Sequence, residues 1–480
     1  MYQPPIVNFP VFSVTWSEAT GADGATTPAV LAAGGGGAGN TGVGNKISLI
    51  TVKGGVNSPS YTIAHEEETS PDTCNCVAAS ENGQLMAAAF GKDVRIYASN
   101  PTGFHRLAQV QADFAGKESG VNSMAFVKRN RHGKSDGDGN GDPEGAVLLA
   151  TGGEDGVLRV WKLRADIGIN GGGEGDGDRP FVSIEKVGEC KGHTKPVTCV
   201  RFHPSATMVL TASKDGTCRL WDWEQGSEAA LLPTTSGLPP TAAAAKAPII
   251  MCRSCCFSPA KVDAIFSVQS GSRGSAYVTE WQYTVRQAGD VDDGGEGLTC
   301  DVRPVQVSLA SPHPATSLSI REDGTRLAVA NVEGTVLVYR LPGFAKVMEY
   351  PAHDLPVTGL GFASKEAGLA LGGFDLLAGS ADYKITLFQS QGNAAKLAAR
   401  QTLVLLWSSV VFLFKAIFWW VRTAVTLTLT VIPILGLVAL VLAFVYRPEE
   451  QLAVFRSLLR SLLAQADESG SEKVDSTPPI

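Results

Sequence analysis

The chain has 480 residues, 44% of them hydrophobic, and its 40 basic and 47 acidic side chains give a formal net charge of −7. This length allows a large body plus a tail, and the acidic balance, without a basic stripe and interleaved aromatics, argues against nucleic acid as a partner. The nine cysteines lie among apolar neighbours, and no basic start followed by an apolar run opens the sequence. We therefore expect reduced thiols and a cytosolic body.

The N-terminal part of the chain predicts a small meander of three strands. Short apolar runs bounded by turn residues occur at 10–17, 28–34 and 46–52. Between the second and third runs lies AGGGGAGNTGVGNKI (33–47), which contains seven glycines in fifteen residues. Ordering such a segment costs backbone entropy, so a function is the expected reason for its presence.

Three interpretations of this glycine-rich segment compete. Gly39 and Gly44 have the spacing of a nucleotide phosphate loop. That motif fails, however, because Asn45 replaces its lysine, Ile47 replaces its hydroxyl, and a strand follows where a helix is needed. The second interpretation is a flexible connection between two strands. The third is an ordered loop that presents backbone carbonyls and amides, together with the side-chain amides of Asn40 and Asn45, to a partner or an ion.

Six further units follow, and each closes with an apolar run that ends on an aromatic residue. The closing aromatic residues are Tyr97, Trp161, Trp221, Trp281, Tyr339 and Phe388. The clearest unit is KGHTKPVTCVRFHPSATMVLTASKDGTCRLWDW (191–223), which begins with Gly192-His193 and ends near Trp221-Asp222. Counted with the N-terminal meander, the repeats predict an all-β fold, a seven-bladed WD-type β-propeller over residues 1–392, because radial closure leaves no long exposed sheet edge.

The unit at 191–223 resembles a WD repeat, and the resemblance implies a buried structural relay of hydrogen bonds. The residues that match the relay are His193, Ser213, Asp215 and Trp221. In this arrangement Asp215 accepts a hydrogen bond from His193, which in turn meets Ser213 and the indole of Trp221. Each polar atom buried between blades then has a partner, which avoids a penalty of about 1–3 kcal/mol per unsatisfied group.

Two motifs imitate metal sites, and we interpret neither as one. The run Asp136–Gly141 resembles the start of a calcium loop, but Val147 stands where the loop needs a bidentate glutamate. Cys252, Cys255 and Cys256 have no second pair at zinc-site spacing after them, so buried strand thiols are expected. The sequence also lacks the motifs of common hydrolases, and we expect no catalytic residues and no covalent chemistry.

The C-terminal part predicts attachment to a membrane. Residues 424–446 carry no charge over 23 residues, which as a helix would span about 34 Å against a hydrocarbon core of about 30 Å, so we predict a transmembrane helix. The preceding segment, 393–423, contains an apolar run at 403–421 that Lys415 interrupts. An interfacial helix is favoured over the first arm of a hairpin, because a central lysine costs about 2.5–3.5 kcal/mol. Residues 447–480 predict a luminal amphipathic helix and a disordered tail.

A seven-unit propeller, a glycine-rich insertion in its first blade and one C-terminal span together resemble the Sec-twelve family, also called PREB. Its members are exchange factors, anchored in the endoplasmic reticulum (ER), for the Sar-type small GTPase that starts COPII coats. The specific signal is GGGGAGNTGVGN (34–45), which is similar to a loop that the family orders around potassium and pushes against the GTPase. The residues that match this loop are Gly34, Gly35, Gly36, Gly37, Asn40, Thr41, Gly42, Val43 and Asn45. Many members have lysine where this chain has Asn40.

The resemblance implies a guanine nucleotide exchange factor in the ER membrane, with the propeller in the cytosol, that promotes GDP release and ER-to-Golgi transport. Asn40 and Val43 are expected at the loop tip against the GTPase, while glycine carbonyls and Asn45 are expected to hold potassium through hard oxygen ligands. The alternatives are a membrane-tethered WD scaffold without exchange activity and a nucleotide-hydrolysing enzyme.

Overall fold

The computed structural model describes most of the first 390 residues and part of the C-terminal region. The described residues are 7–21, 24–37, 41–54, 59–128, 147–166, 181–233, 238, 250–286, 297–390, 415, 418–419, 429, 431–446 and 448–470. The chain divides into two units, Met1–Gly392 and Asn393–Ile480. The calcium-like run at 136–141 and residue Asn40 lie outside the described residues.

The first unit is built from seven antiparallel sheets, here called blades 1 to 7 in chain order. Blades 1 to 6 have four strands each, and blade 7 has three within the described part of the chain. The strands are β1 Val11–Thr20, β2 Thr26–Gly34, β3 Lys46–Lys53, β4 Ser60–Glu68; β5 Cys76–Ala79, β6 Leu85–Phe90, β7 Asp93–Asn100, β8 Gly103–Gln111; β9 Val121–Lys128, β10 Val147–Gly153, β11 Leu158–Asp166, β12 Phe181–Cys190; β13 Val197–Phe202, β14 Met208–Ser213, β15 Thr217–Asp222, β16 Ser227–Pro233; β17 Met251–Phe257, β18 Ala264–Ser270, β19 Ala276–Arg286, β20 Thr299–Ser311; β21 Ala315–Ile320, β22 Arg326–Asn331, β23 Thr335–Arg340, β24 Ala345–Pro351; β25 Val357–Phe362, β26 Leu376–Ser380 and β27 Ile385–Phe388. Gly116–Glu118 form a short 3-10 turn, and helix α1 (Lys365–Ala370) lies between β25 and β26.

The repeat that the sequence predicts is visible in the strand pairing. Each closing aromatic residue lies on the third strand of its blade, and all of them are buried. In five blades the pairing of the third strand with the fourth shifts by one residue at that aromatic position, which is Tyr97, Trp161, Trp221, Trp281 or Tyr339. Such an irregularity increases local strand twist, so the blades share one twisted geometry.

The blades form a closed ring. Their first strands contact one another in order, and β1 contacts β25 of blade 7. Two hydrogen bonds join the first and last blades: Trp16 Nε1 donates to the carbonyl of Gly361 at 2.9 Å, and Thr358 Oγ1 donates to the carbonyl of Val11 at 2.8 Å. The fold is therefore the predicted seven-bladed β-propeller.

Residues ahead of β1 strengthen the seam between blades 1 and 7. Val7 and Phe9 are buried in a cluster with residues of the last blade, including Leu371, Phe374 and Leu387. Burial of a large apolar side chain contributes about 1.5–3 kcal/mol, so these two residues add to ring closure. Among the described strands, none is shared between the first and last blades.

The first two blades have four strands each, whereas the sequence predicts a meander of three strands for the first of them and marks no fourth strand in the second. The missed strands, β4 and β8, are the outermost strands of their blades and contain no fully buried residue. An outer strand has one hydrogen-bonded neighbour, and its other edge is exposed to solvent. It therefore lacks the apolar run that is typical of an inner strand.

Strand direction determines where the loops emerge. Because successive strands are antiparallel, the connections from second to third strands and the connections between blades leave the ring on the same side. We call this side the loop face. The glycine loop, defined as residues 34–45, connects β2 to β3 and lies on the loop face beside the segment 69–75, which joins blades 1 and 2.

The cysteines occupy the propeller core. All nine are free thiols and eight are buried, including Cys252, Cys255 and Cys256 of strand β17, which confirms the prediction of buried strand thiols. Within the described ranges, no group of three or more histidine, cysteine, aspartate or glutamate side chains has an arrangement suited to a metal ion.

The second unit contains two described helices that contact each other, α2 (Ile432–Tyr446) and α3 (Pro448–Gly470). Helix α2 is apolar but has 15 residues, and α3 has 23 residues but carries charged side chains. Over the part of the chain that the structure describes, no helix is both long enough and apolar enough to cross a membrane. Helix α3 extends into the tail predicted to be disordered, as far as Gly470, the last described residue.

Parts of the predicted membrane region lie outside the described residues. These are 424–428 and 430 of the predicted span, all of 403–421 except residues 415, 418 and 419, and the end of the tail, 471–480.

Candidate functional site

The glycine loop begins and ends on neighbouring strands of blade 1. Gly34 is the last residue of β2 and pairs with Lys46, the first residue of β3. The backbone N–H of Gly35 donates to the carbonyl of Pro10 at 3.0 Å, which ties the start of the loop to the segment before β1. The loop therefore rises from a hydrogen-bonded base on the loop face.

At two positions near the start of the loop, neighbouring side chains lie so close to the backbone that only glycine fits. Gly35 has φ +142°, and a Cβ at this position would collide with the side-chain oxygen of Asn45. A Cβ on Gly36 would collide with Oγ1 of Thr41, which approaches from the returning side of the loop. Larger residues would force the two sides of the loop apart, so the glycines permit a narrow, folded loop.

Asn45 holds the base of the loop together. Its side chain is 1% exposed, its Oδ1 accepts from the N–H of Gly37 at 3.0 Å, and its Nδ2 donates to the carbonyls of Gly37 at 3.0 Å and Pro71 at 3.1 Å. Its backbone N–H donates to Ser70 Oγ at 3.0 Å, and its carbonyl accepts from Thr69 N–H at 2.7 Å. The amide thus joins both sides of the loop to the connection between blades 1 and 2. The sequence indicated Asn45 as a candidate ion ligand, and in the structure it braces the loop.

Exposure differs among the described residues on the returning side of the loop. Thr41 and Gly42 are exposed, whereas Val43 is half-buried and packs against the apolar cluster at the seam between blades 7 and 1. The sequence predicts Val43 at the tip of the loop, and in the structure its apolar side chain is partly covered by this cluster, where burial of apolar surface is favourable. Asn40, the other predicted tip residue, is outside the described residues. Thr41 Oγ1 lies 3.4 Å from the carbonyl of Gly36.

Carboxylates of strand β4 lie beside the loop base. A Cβ on Gly44 would be 2.7 Å from Glu68 Oε1, so this carboxylate is next to the returning side of the loop. Glu66 forms an ion pair with Lys46, and burial raises the pKa of Glu67. Carboxylate and carbonyl oxygens are the ligands that hard cations prefer, and this side of the loop offers both.

In blade 4 the predicted relay is present with one residue exchanged. His193 Nδ1 lies 2.9 Å from Asp215 Oδ2, and His193 Nε2 lies 2.7 Å from Thr211 Oγ1. Trp221 Nε1 donates to the same Thr211 oxygen at 2.8 Å. Thr211, which the sequence analysis did not single out, therefore occupies the position predicted for Ser213. We call these four residues, His193, Thr211, Asp215 and Trp221, the Thr211 network.

Ser213 and Asp215 have other partners that fix the turn between β14 and β15. Ser213 Oγ donates to the carbonyl of Lys195 at 2.9 Å and accepts from Asp215 N–H at 3.0 Å. Burial would raise the pKa of Asp215, but hydrogen bonds from His193 and Thr217 outweigh it and hold that pKa well below its usual range. The carboxylate is therefore ionised and structural.

Blade 7 contains an incomplete version of the Thr211 network. His353 Nδ1 lies 3.1 Å from Asp382 Oδ1, and Asp382 Oδ2 accepts from the N–H of Asp354 at 3.0 Å. Ala378 occupies the position in blade 7 that Thr211 occupies in blade 4. In each blade this residue lies two positions before the serine that pairs with the first residue of the first strand. As a result, Nε2 of His353 is buried without a hydrogen-bond partner. Burial lowers the pKa of His353, although Asp382 acts in the opposite direction.

Changing Ala378 to serine is expected to stabilise the propeller by about 1 kcal/mol, because a hydroxyl there can donate to the orphaned His353 nitrogen. Urea unfolding of the full chain measures this change. The matched control is A328S, at a fully buried alanine of the same cluster, where an added hydroxyl is expected to destabilise by about 1–3 kcal/mol. Equal destabilisation by both variants would contradict the assignment of an unmet hydrogen bond in blade 7.

Comparison with known proteins supports the repeat class. Residues 108–162 and 184–222 match the family described as "WD domain, G-beta repeat", so the chain contains WD repeats. Human eukaryotic translation initiation factor 3 subunit I is 36% identical over 116 residues, which are 24% of this chain and 26% of that protein. The coronin-like protein crn1 of Schizosaccharomyces pombe is 35% identical over 80 residues, 16% of this chain and 12% of that protein. The chain thus matches about a quarter or less of the length of these relatives.

Among solved structures, Sqt1 from Chaetomium thermophilum bound to the N-terminus of the ribosomal protein L10 is similar over 78% of this chain and 83% of that chain, with 16% identity and a TM-score of 0.47. A second structure of the same Sqt1 has a TM-score of 0.49 at 16% identity and covers 78% of this chain and 80% of that chain.

Proposed function

We propose that this chain is a guanine nucleotide exchange factor of the ER membrane that promotes GDP release from a Sar-type small GTPase and so starts COPII coat assembly. The observation that carries the proposal is the glycine loop, which is braced at its base by the buried side chain of Asn45 and exposed at Thr41 and Gly42. A braced loop loses little conformational entropy on binding, so more of its contact energy is available to act on a partner.

An exchange factor works by differential affinity. It binds the nucleotide-free GTPase more tightly than the nucleotide-bound form, so by linkage it weakens the hold of the GTPase on GDP. No covalent step is needed, and the propeller supplies a rigid platform from which the loop can act. In this proposal the contact falls on Asn40, Thr41 and Gly42, while Val43 and Asn45 maintain the shape of the loop.

Potassium enters the proposal as an ion that would further order the loop. Oδ1 of Asn45 accepts one hydrogen bond and retains a second lone pair, and the Glu68 carboxylate lies beside Gly44. Backbone carbonyls of the loop would complete a set of hard oxygen ligands.

The proposal includes attachment to the membrane through residues 424–446, with the propeller in the cytosol. The described part of that run, helix α2, is apolar and about 22 Å long at 1.5 Å per residue. The uncharged run begins at Ala424, eight residues before Ile432, the first residue of α2. A continuous helix over the whole run would match a bilayer core of about 30 Å. Anchoring would confine nucleotide loading to the surface where the activated GTPase inserts its own membrane-binding segment.

The test is the release of a fluorescent GDP analogue from a Sar-type GTPase, stimulated by the full chain in detergent micelles. We expect the wild type to accelerate release, and we expect N40A/T41A to lower that stimulation at least about 10-fold, the effect of losing about 1.4 kcal/mol at a contact centre. The matched control is N100A/T102A, which removes an exposed asparagine and threonine from the turn between β7 and β8 on the opposite face.

Normal stimulation by N40A/T41A, or an equal loss in N100A/T102A, would refute the loop assignment. Replacing potassium chloride with sodium chloride tests the role of the ion separately from that of the loop. Unchanged rates would exclude a role for potassium and leave the proposed exchange activity unaffected. Stable binding of the GTPase in both nucleotide states without faster GDP release would instead identify the chain as a membrane-tethered WD scaffold, the function class that WD repeats commonly serve.

A further inference from the structure

Four cysteine side chains meet inside the propeller at the seam between blades 4 and 5. They are Cys199 of β13, Cys218 of β15, and Cys252 and Cys255 of β17, here called the thiol cluster. Each is at most 3% exposed, and all belong to one apolar cluster. The proposed exchange mechanism uses none of them, so their proximity raises a separate chemical question.

The sulfur atoms of one pair within the thiol cluster are closer than an ordinary van der Waals contact. The Sγ atoms of Cys218 and Cys252 lie 2.9 Å apart, and a disulfide bond needs about 2.05 Å. Cys199 Sγ instead contacts the backbone carbonyl of Cys255 at 3.6 Å. Cys255 also contacts Cys218, but the short distance between the sulfur atoms makes Cys218 and Cys252 the pair that can join with a small approach of the two strands.

The two thiols of this pair differ in how readily they ionise. Burial opposes ionisation of Cys218, but hydrogen bonds from Cys252 and Cys255 outweigh it and lower the pKa of Cys218. Burial and the same contact raise the pKa of Cys252. Such a pair has one thiolate able to attack an oxidant and one neighbouring thiol able to resolve the product.

We propose that Cys218 and Cys252 form a reversible oxidation site that takes a small peroxide and closes into a disulfide between blades 4 and 5. The Cys218 thiolate attacks hydrogen peroxide, the O–O bond breaks, and sulfenic acid and hydroxide are produced. The thiol of Cys252 then attacks the sulfenic sulfur, the S–S bond forms, and the S–O bond breaks. The released oxygen leaves as water with the proton of Cys252. The two sulfurs together lose two electrons, which reduce one peroxide to water and hydroxide.

The position of the pair allows a small oxidant to reach it. Cys218 and Cys252 are each the second residue of their strands, at the end nearest the loop face. Strand ends open locally far more often than strand centres, and a peroxide is small enough to enter through such an opening. A larger oxidant such as a peptide disulfide would need a wider opening of the seam.

A disulfide bond between these two residues would link blades 4 and 5 covalently. Without it, hydrophobic packing holds these two blades together. The closed loop runs from residue 218 to residue 252, and the segment between β16 and β17 lies within it. Cross-linking removes entropy from the unfolded chain, and for a loop of this size in a chain this large the expected rise in Tm is about 3–6 °C. A thiol reductant would reverse the change.

Peptide mapping of the full chain tests this proposal. The reduced protein is treated with hydrogen peroxide, quenched, unfolded and alkylated, and each of the nine cysteines is scored by mass spectrometry. We expect a peptide that links Cys218 to Cys252, two thiols protected from alkylation, the rise in Tm, and full reversal by dithiothreitol. C252A should abolish all of these. C256A is the matched control, because Cys256 is buried on the same strand in a different core cluster, and it should retain them.

The proposal is overturned if all nine thiols remain alkylatable, if a different pair is linked, or if the purified protein holds stoichiometric zinc that keeps the four thiols reduced. The peptide map of the wild type decides the question by itself, so it does not depend on C252A folding. The exchange activity is measured separately, and its absence would leave this map unaffected.

Discussion

Changing Asn45 to alanine is expected to lower the stimulated rate of GDP release about 100-fold while the propeller stays folded. The substitution removes the hydrogen bond that Asn45 Oδ1 accepts from Gly37 N–H and those that Asn45 Nδ2 donates to the carbonyls of Gly37 and Pro71. Each unsatisfied buried group costs about 1–3 kcal/mol, so the folded form of the loop is expected to fall to about 1% of the population, equivalent to about 2.7 kcal/mol. Apparent affinity for the GTPase falls in the same proportion.

Amide hydrogen exchange and a control variant keep this prediction separate from the proposed activity. Amide hydrogen exchange at Gly37 should become faster in N45A whether or not the chain acts on a GTPase, since its N–H loses its acceptor. N75A is the control, because Asn75 is an exposed asparagine in the connection between blades 1 and 2 on the same face. Unchanged Gly37 protection in N45A would show that the side chain does not brace the loop.

Changing Thr211 to valine is expected to lower the free energy of unfolding by about 2–6 kcal/mol. Asp215 lies within hydrogen-bond distance of Nδ1 of His193, and Thr211 Oγ1 lies within hydrogen-bond distance of Nε2. The same oxygen accepts from the indole of Trp221. Valine keeps the shape of the side chain and leaves both partners buried and unsatisfied, at about 1–3 kcal/mol each.

Blade 3 supplies the comparison for this variant. Thr151 Oγ1 accepts from the indole of Trp161 at 3.0 Å, in the same geometry as in blade 4. The histidine position of blade 3 is held by Asp113, whose carboxylate accepts from the backbone of Ala115 and Asp155. T151V should therefore cost about half as much as T211V in urea unfolding. Equal costs would mean that the contact with His193 adds nothing.

The ring was predictable because each repeat carries its own local signal. The closing aromatic residues recur along the chain, and each lies on the third strand of its blade, where it is buried against the preceding blade. The identity of Thr211 was harder to predict, because Thr211 and Ser213 are two residues apart and their side chains point to the same face of β14. The choice between them depends on the pairing register, in which Val209 is opposite Trp221 and Thr211 is opposite Arg219.

The glycine loop was predictable as a feature but not in its internal contacts. Ser70 and Pro71, which bind Asn45, are 25 and 26 residues further along the chain, and no short-range pattern relates them to it. The inward position of Val43 follows from an apolar cluster whose other members come from both ends of the propeller sequence. Contacts of this kind depend on ring closure, so local sequence reasoning cannot reach them.

The seam between blades 1 and 7 has a consequence for synthesis of the protein. Trp16 and Val11 find their partners Gly361 and Thr358 near the other end of the propeller sequence. At about 5–20 residues per second, a ribosome needs about 20–80 s to progress from the first blade to the last. Throughout that interval the apolar edge of blade 1 on the nascent chain is not yet packed against blade 7. Chaperones that bind exposed apolar segments would therefore engage the amino-terminal blade first and release it when blade 7 emerges.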